Sequence, residues 1–242
     1  MKKNIKRVIF GLILILVIAI GILAYNLYPL LLLKPTETGN IEGTNIYAVK
    51  DSITTAYFVE SGDGYIMVDA GFDLQTIESA IKDVGISANE IKWVLLTHSD
   101  YDHVSSLPLF LNSRIYIGEH EIPHLDGTLL RNAASYNSLP DGVYLDTLIP
   151  LQDDQELLLG AVAVRCIHAP GHTNGSMAYL IDGKYLFTGD AFGIKNEKLT
   201  VHPFTMDEEL AGRTIENLED IISESELVIT AHYGYFDGRT SK

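Results

Sequence analysis

Residues 97–103 read Thr-His-Ser-Asp-Tyr-Asp-His and put four metal-binding side chains, His98, Asp100, Asp102 and His103, into one short stretch. Ordinary cores pair their few buried charges and ordinary surfaces spread them out, so this density of imidazole and carboxylate points to a site. The stretch follows residues 91–96, an apolar and partly β-branched run that reads as a buried strand. It precedes residues 104–111, which read as a short apolar helix. The four side chains therefore fall on a strand-to-helix loop, where residues that diverge along a strand can converge once the chain turns.

One short loop rarely completes a two-metal site, and three later segments offer what it lacks. His172 lies in Ala-Pro-Gly-His-Thr-Asn-Gly-Ser at 169–176, Asp190 in Phe-Thr-Gly-Asp at 187–190, and His232 in Thr-Ala-His-Tyr-Gly at 230–234. Each follows an apolar strand-like run and stands near a Gly, where the backbone can turn sharply.

In order and spacing these segments resemble the metallo-β-lactamase superfamily of metal-dependent hydrolases, whose pattern is a His-x-His-x-Asp-His loop followed by a His, a bridging Asp and a final His. The resemblance spans roughly residues 44–236. It implies His98, Asp100 and His172 at a first metal, Asp102, His103 and His232 at a second, and Asp190 between them. This chain departs from the pattern at Asp100, where the family has a second His. Two divalent cations, a bridging hydroxide, Asp102 and Asp190 would together carry about +1, and Asp100 brings that to about 0, a less electrophilic centre. A carboxylate is also a harder ligand than imidazole. Two divalent ions are expected, zinc first, with iron or manganese as alternatives.

The implied activity is hydrolysis. A metal-activated hydroxide attacks a small ester, lactone, thioester, amide or phosphoester, and Asp102 or Asp190 orients it or passes a proton to the leaving group. Two alternatives stay open: a di-iron redox protein of the flavodiiron type, in which a carboxylate also stands at the position of Asp100, and a non-catalytic metal- or ligand-binding sensor. His120, His124, His168 and His202 match no ligand position, although His202 is near enough to Asp190 in sequence to face a substrate. Cys166, the lone cysteine, excludes an intramolecular disulfide. It precedes His172, whereas the thiolate-using β-lactamases place a Cys where this chain has Asp190; it reads as a buried strand residue.

Ahead of the catalytic region, residues 8–33 form an uncharged run of 26 residues. As a helix it would extend about 39 Å, against about 30 Å of bilayer hydrocarbon. Lys2, Lys3, Lys6 and Arg7 precede it, and the positive-inside tendency keeps them cytoplasmic with everything after Lys34 outside the cytoplasm. The expected organisation is a basic N-terminus at 1–7, a transmembrane signal-anchor at 8–33, a linker at 34–43 and a catalytic domain at 44–242. The alternative is a secretory signal cleaved near Ala24, giving a secreted protein. Setting aside the four basic N-terminal residues leaves 13 Lys and Arg against 32 Asp and Glu, a net charge of −19. Such a field repels polyanions, so nucleic acid is an unfit partner, and a small neutral or cationic substrate suits it better.

The fold expected from pattern and resemblance together is an α/β four-layer αββα sandwich with the metals at one rim. Strands are predicted at 46–49, 54–59, 65–69, 93–97, 114–117, 162–167, 177–181, 185–188 and 227–230, with an amphipathic helix at 74–84 and a long helix at 206–222 capped by Thr205. Residues 119–150, containing His120, His124, Tyr136, Leu139, Pro140 and Tyr144, and residues 192–204, containing Phe192, His202 and Phe204, are the expected walls of a substrate site.

Overall fold

A computed structural model describes the backbone over residues 2–131, 137–195 and 198–240, with side chains throughout except 2–8 and 26. Tyr136 lies outside the described residues. The chain divides into an N-terminal unit ending at Leu33 and a second unit from Lys34 onward. In the first, helix α1 (Lys2–Leu27) runs into a 3-10 turn at Tyr28–Leu32. Ile9–Leu32, 24 residues of mean hydropathy 2.6, is long and apolar enough to cross a bilayer; a signal sequence meets the same criterion.

In the second unit, β1 (Gly39–Asn40), β2 (Ile46–Asp51), β3 (Thr54–Glu60) and β4 (Tyr65–Val68) form an antiparallel start. After α2 (Leu74–Asp83) come β5 (Ile91–Leu95), α3 (Tyr101–Val104), β6 (Arg114–Gly118), α4 (Ile122–Leu125) and β7 (Leu148–Leu151). Strands β4 to β7 are parallel and complete a seven-stranded sheet in sequence order. The second sheet uses β8 (Gln155–Leu159), β9 (Val162–His168), β10 (Met177–Ile181) and β11 (Tyr185–Gly189). A hairpin of β12 (Gly193–Lys195) and β13 (Lys198–Thr200) follows, then α5 (Glu208–Asn217), α6 (Glu219–Glu224), β14 (Leu227–Thr230) and β15 (Tyr235–Phe236). The order of this six-stranded sheet is β15-β14-β11-β10-β9-β8.

Side-chain alternation builds the layers. In β3, Tyr57 and Val59 pack with Val164, Cys166, Tyr179 and Phe187 of the second sheet, while Ala56 and Phe58 pack with Ile77 and Ile81 of α2. The outer face of the second sheet, including Ala178, Leu186 and Val228, is covered by Leu218 and Ile222. Central strands are buried on both faces rather than on alternate residues, as the burial of Thr54–Val59 shows. The result is the expected αββα sandwich.

Two helices differ from expectation. Pro108 cannot continue an α-helix as a hydrogen-bond donor, so residues 104–111 yield only a 3-10 turn at Leu107–Phe110, and the helical turn begins earlier at Tyr101. The long helix at 206–222 is two helices. Its cap is Asp207, whose carboxylate accepts the Leu210 N–H, and the chain bends at Leu218, whose N–H reaches both Thr214 and Glu216 carbonyls. Within the wall segments, α4, β7 and the β12–β13 hairpin replace irregular loop.

Candidate metal centre

Topology gathers the site. In the second sheet β9 and β11 each pair antiparallel with β10, and β14 runs parallel to β11, so these three strands end on one edge. His172, Asp190 and His232 follow those ends. The parallel strands β4 and β5 deliver Asp69 and residues 97–103 to the same edge, where Met177 N–H donates to the Thr97 carbonyl at 2.8 Å and Tyr179 Oη to the Leu96 carbonyl at 2.5 Å. Gly189 is required for this approach: its φ is +52°, and a Cβ there would lie 2.2 Å from Thr97 Oγ1.

All seven residues expected at the metals come together. His98, Asp100 and His172 form one group and Asp102, His103 and His232 another, with ligand atoms within 4.8 Å of each other in each. Asp100 Oδ2 lies 3.2 Å from His172 Nε2 and 3.5 Å from His98 Nε2. Asp102 Oδ2 lies 3.3 Å from His232 Nε2 and 3.8 Å from His103 Nε2. Asp190 divides its oxygens: Oδ1 faces His232 Nε2 at 3.1 Å and His103 Nε2 at 3.6 Å, and Oδ2 faces His172 Nε2 at 3.6 Å.

Hydrogen bonds behind the rings fix which nitrogen faces inward. Thr97 Oγ1 donates to Asp69, so it is left to accept from His98 Nδ1 at 3.0 Å, which directs the Nε2 lone pair into the cluster. His232 Nδ1 donates to the Ile53 carbonyl at 2.6 Å with the same result. Asp69 Oδ2 lies 2.9 Å from His103 Nδ1. Asp69 reaches this position with φ +57°, an unusual conformation for a non-Gly residue. Sequence reasoning missed it; its only signal was a carboxylate just past the end of a strand.

These inward atoms fit cations. His98 Nε2, His103 Nε2 and Asp190 Oδ1 are buried without a hydrogen-bond partner among the described residues, and acceptors facing acceptors call for a positive ion between them. The same field draws protons. Burial alone would lower His103, but Asp69, Asp102 and Asp190 raise it to about 9. Burial would likewise lower His232, yet Asp190 and Asp102 raise it well above the usual imidazole range. Burial opposes ionisation of Asp190, but His232 and His103 hold it well below the usual carboxylate range.

His202, which matched no ligand position, joins the cluster with Nε2 3.6 Å from Asp190 Oδ2. Its tautomer is the reverse of that of His98 and His232. The Phe204 N–H donates to His202 Nδ1 at 3.3 Å, which leaves the proton of the neutral ring on Nε2. Burial lowers its pKa to about 3, so the ring stays neutral. His124 is buried in α4, and His120 and His168 form a ring pair with centroids 5.0 Å apart. Arg131 was also missed: its guanidinium grips Asp100 from the first wall segment, residues 119–150. Phe192 is core rather than wall, whereas Phe72 and Tyr101, edge-on at 5.5 Å, and Phe204 are exposed. Cys166 is buried in β9, as expected.

Comparison with solved structures places this architecture with the metallo-β-lactamase sandwich. An archaeal metallo-β-lactamase superfamily protein from Sulfolobus tokodaii matches with a TM-score of 0.61 at 21% identity, over 84% of this chain and 83% of that one. A sequence model of the metallo-beta-lactamase superfamily matches residues 49–232, and the chain belongs to that superfamily. It is 33% identical over 128 residues to "Probable polyketide biosynthesis zinc-dependent hydrolase PksB" of Bacillus subtilis (strain 168), covering 52% of this chain and 48% of that protein. It is 29% identical over 160 residues to a "Probable metallo-hydrolase" of Methanocaldococcus jannaschii, covering 65% of this chain and 64% of that protein. The chain thus spans about half the length of the first of these relatives.

Proposed function

We propose that the chain is a metal-dependent hydrolase that holds two divalent cations and cleaves a small ester, lactone, thioester, amide or phosphoester. The observation that carries this reading is Asp190, whose two oxygens face different histidines, the arrangement of a carboxylate shared between two ions. His98, Asp100 and His172 would hold one cation and Asp102, His103 and His232 the other. Zinc suits these N and O donors, and zinc dependence is named for a relative. Bound cations would supply an acidified water and polarise the scissile oxygen.

The chain's own residues add positioning and proton handling. Asp102 has a side chain 21% exposed, and although burial opposes its ionisation, His103 and His232 hold its pKa at about 2. It is the ionised oxygen placed to accept a proton and return it to a leaving group. The unspent, neutral His202 Nε2–H is placed to donate to an oxygen that gains charge. Phe72, Tyr101 and Phe204 give the rim an apolar border, which favours a substrate with an apolar portion over a polyanion.

The test uses the full chain, purified in detergent and loaded with zinc, against ester, lactone, thioester, amide and phosphodiester substrates. Turnover of at least one class is expected, and Asp190→Ala or His172→Ala should lower it by more than about 100-fold while the domain stays folded. A fully active Asp190→Ala enzyme would reject the assignment.

A further inference from the structure

The superfamily pattern has a neutral His where this chain has Asp100, and Arg131 answers that change. Arg131 is only 7% exposed. Its Nε donates to Asp100 Oδ1 at 2.9 Å and Oδ2 at 3.2 Å, and its Nη2 donates to Asp100 Oδ2 at 3.1 Å. The same Nη2 donates to the Phe204 carbonyl at 2.9 Å and lies 3.2 Å from His172 Nε2, which is itself 3.2 Å from Asp100 Oδ2. A planar fork on a carboxylate is the geometry that Arg makes and Lys cannot. Asn137 Nδ2 donates to Asp100 Oδ1 at 2.9 Å and to Ser99 Oγ at 2.7 Å, so Asp100 has a second anchor.

We propose that Arg131 is a positioning residue that neutralises Asp100, so that the pair stands in for the family's histidine and holds the first cation position weaker than the second. Three observations point the same way. Asp100 with Arg131 has no net charge, like imidazole. The guanidinium sits beside the donors of the first position, where its charge opposes a cation. Nη2 also stands 3.2 Å from His172 Nε2, the nitrogen through which a cation there would bind. The second position has no cationic side chain of this kind against it: the contacts of Asp102, His103 and His232 described above do not include Arg131, and the protons that His103 and His232 attract leave as pH rises. The net charge reckoned from Asp100 alone is therefore one unit too low.

The inference rests on the two-cation reading, and a titration separates the two. Metal-stripped full chain is titrated with Zn²⁺ against a chromophoric chelator, with metal content measured by mass spectrometry. The wild type should bind two ions in separated steps. Arg131→Gln, with Asn137 still holding Asp100, should tighten the weaker step by about tenfold or more. Asp100→His leaves the guanidinium uncompensated and should weaken that step by about as much. Adding Arg131→Gln to Asp100→His should bring it back toward the wild type. The tighter step should change little in every variant, which reports that the fold is intact. If Arg131 only held Asp100 in place, Arg131→Gln would weaken the step, and it would do nothing in the Asp100→His background. Either result overturns the inference and leaves the two-cation reading standing. A wild type that binds no Zn²⁺ would overturn both.

Discussion

His202 differs from His98 and His232 in which ring nitrogen is tied down, and that difference predicts different phenotypes. His202→Ala should reduce kcat while metal content stays at the wild-type level; loss of metal with activity would instead make His202 a ligand. The titration of neighbouring residues also sets how the metal-free chain responds to pH. Burial alone would lower His103, but Asp69, Asp102 and Asp190 raise it from 6.5 to about 9, so its contribution is complete below pH 6.5 and is lost as pH rises through 9. Asp102 is lowered from 3.8 to about 2, so its contribution is present above pH 3.8 and is lost as pH falls through 2. These two groups favour the metal-free protein most between about pH 4 and 6.5, which thermal melts in a chelator will check; no stability loss between pH 6.5 and 10 would contradict the His103 assignment. Because a cation needs the Nε2 lone pair, zinc uptake below pH 9 should release protons.

At the scale of strands and turns, the end of β11 is the position least open to change. Gly189→Ala must strain a φ of +52° and also displace Thr97, on which the orientation of His98 depends. Gly183 has φ +67° but open space around its would-be Cβ. Gly183→Ala should therefore cost about 1 kcal/mol of stability, whereas Gly189→Ala should also lose metal and activity; equal behaviour of the two in melts and metal content would contradict the close-approach argument. Removing the cap of α5 by Asp207→Ala should cost about 1 kcal/mol, read as a lower Tm. Strands β2 to β6, β9 to β11 and β14 were legible because their apolar runs are bounded by turn residues, and the ligand loops because His or Asp follows each run beside a Gly, whereas β1, β7, β8 and β15 were not predicted. What was not legible has physical causes. Pro150 disguises β7, an edge strand where a missing N–H is tolerated. Asp207 and Thr205 are both competent caps, and only the packing of Asp207 N–H on the Gly171 carbonyl chooses between them. Asp69, Arg131 and His202 meet the site through tertiary contacts, which no local spacing encodes.

For the whole molecule, the apolar Ile9–Leu32 segment is long enough to cross a bilayer, a criterion that a signal sequence also meets. If the segment is an anchor, the chain should keep its N-terminus and stay with membranes after alkaline carbonate extraction; recovery of a soluble chain beginning near residue 25 would favour a cleaved signal instead. The acidic domain should also fail to retain DNA or RNA at low salt, where electrostatic binding is strongest. The central claim is that seven residues from four separate chain segments grip a pair of cations. Anomalous diffraction at the zinc edge from crystals of the zinc-loaded protein tests it most directly: two peaks are expected, one among His98, Asp100 and His172 and one among Asp102, His103 and His232, with Asp190 between them, and the absence of any peak in this cluster would contradict the account.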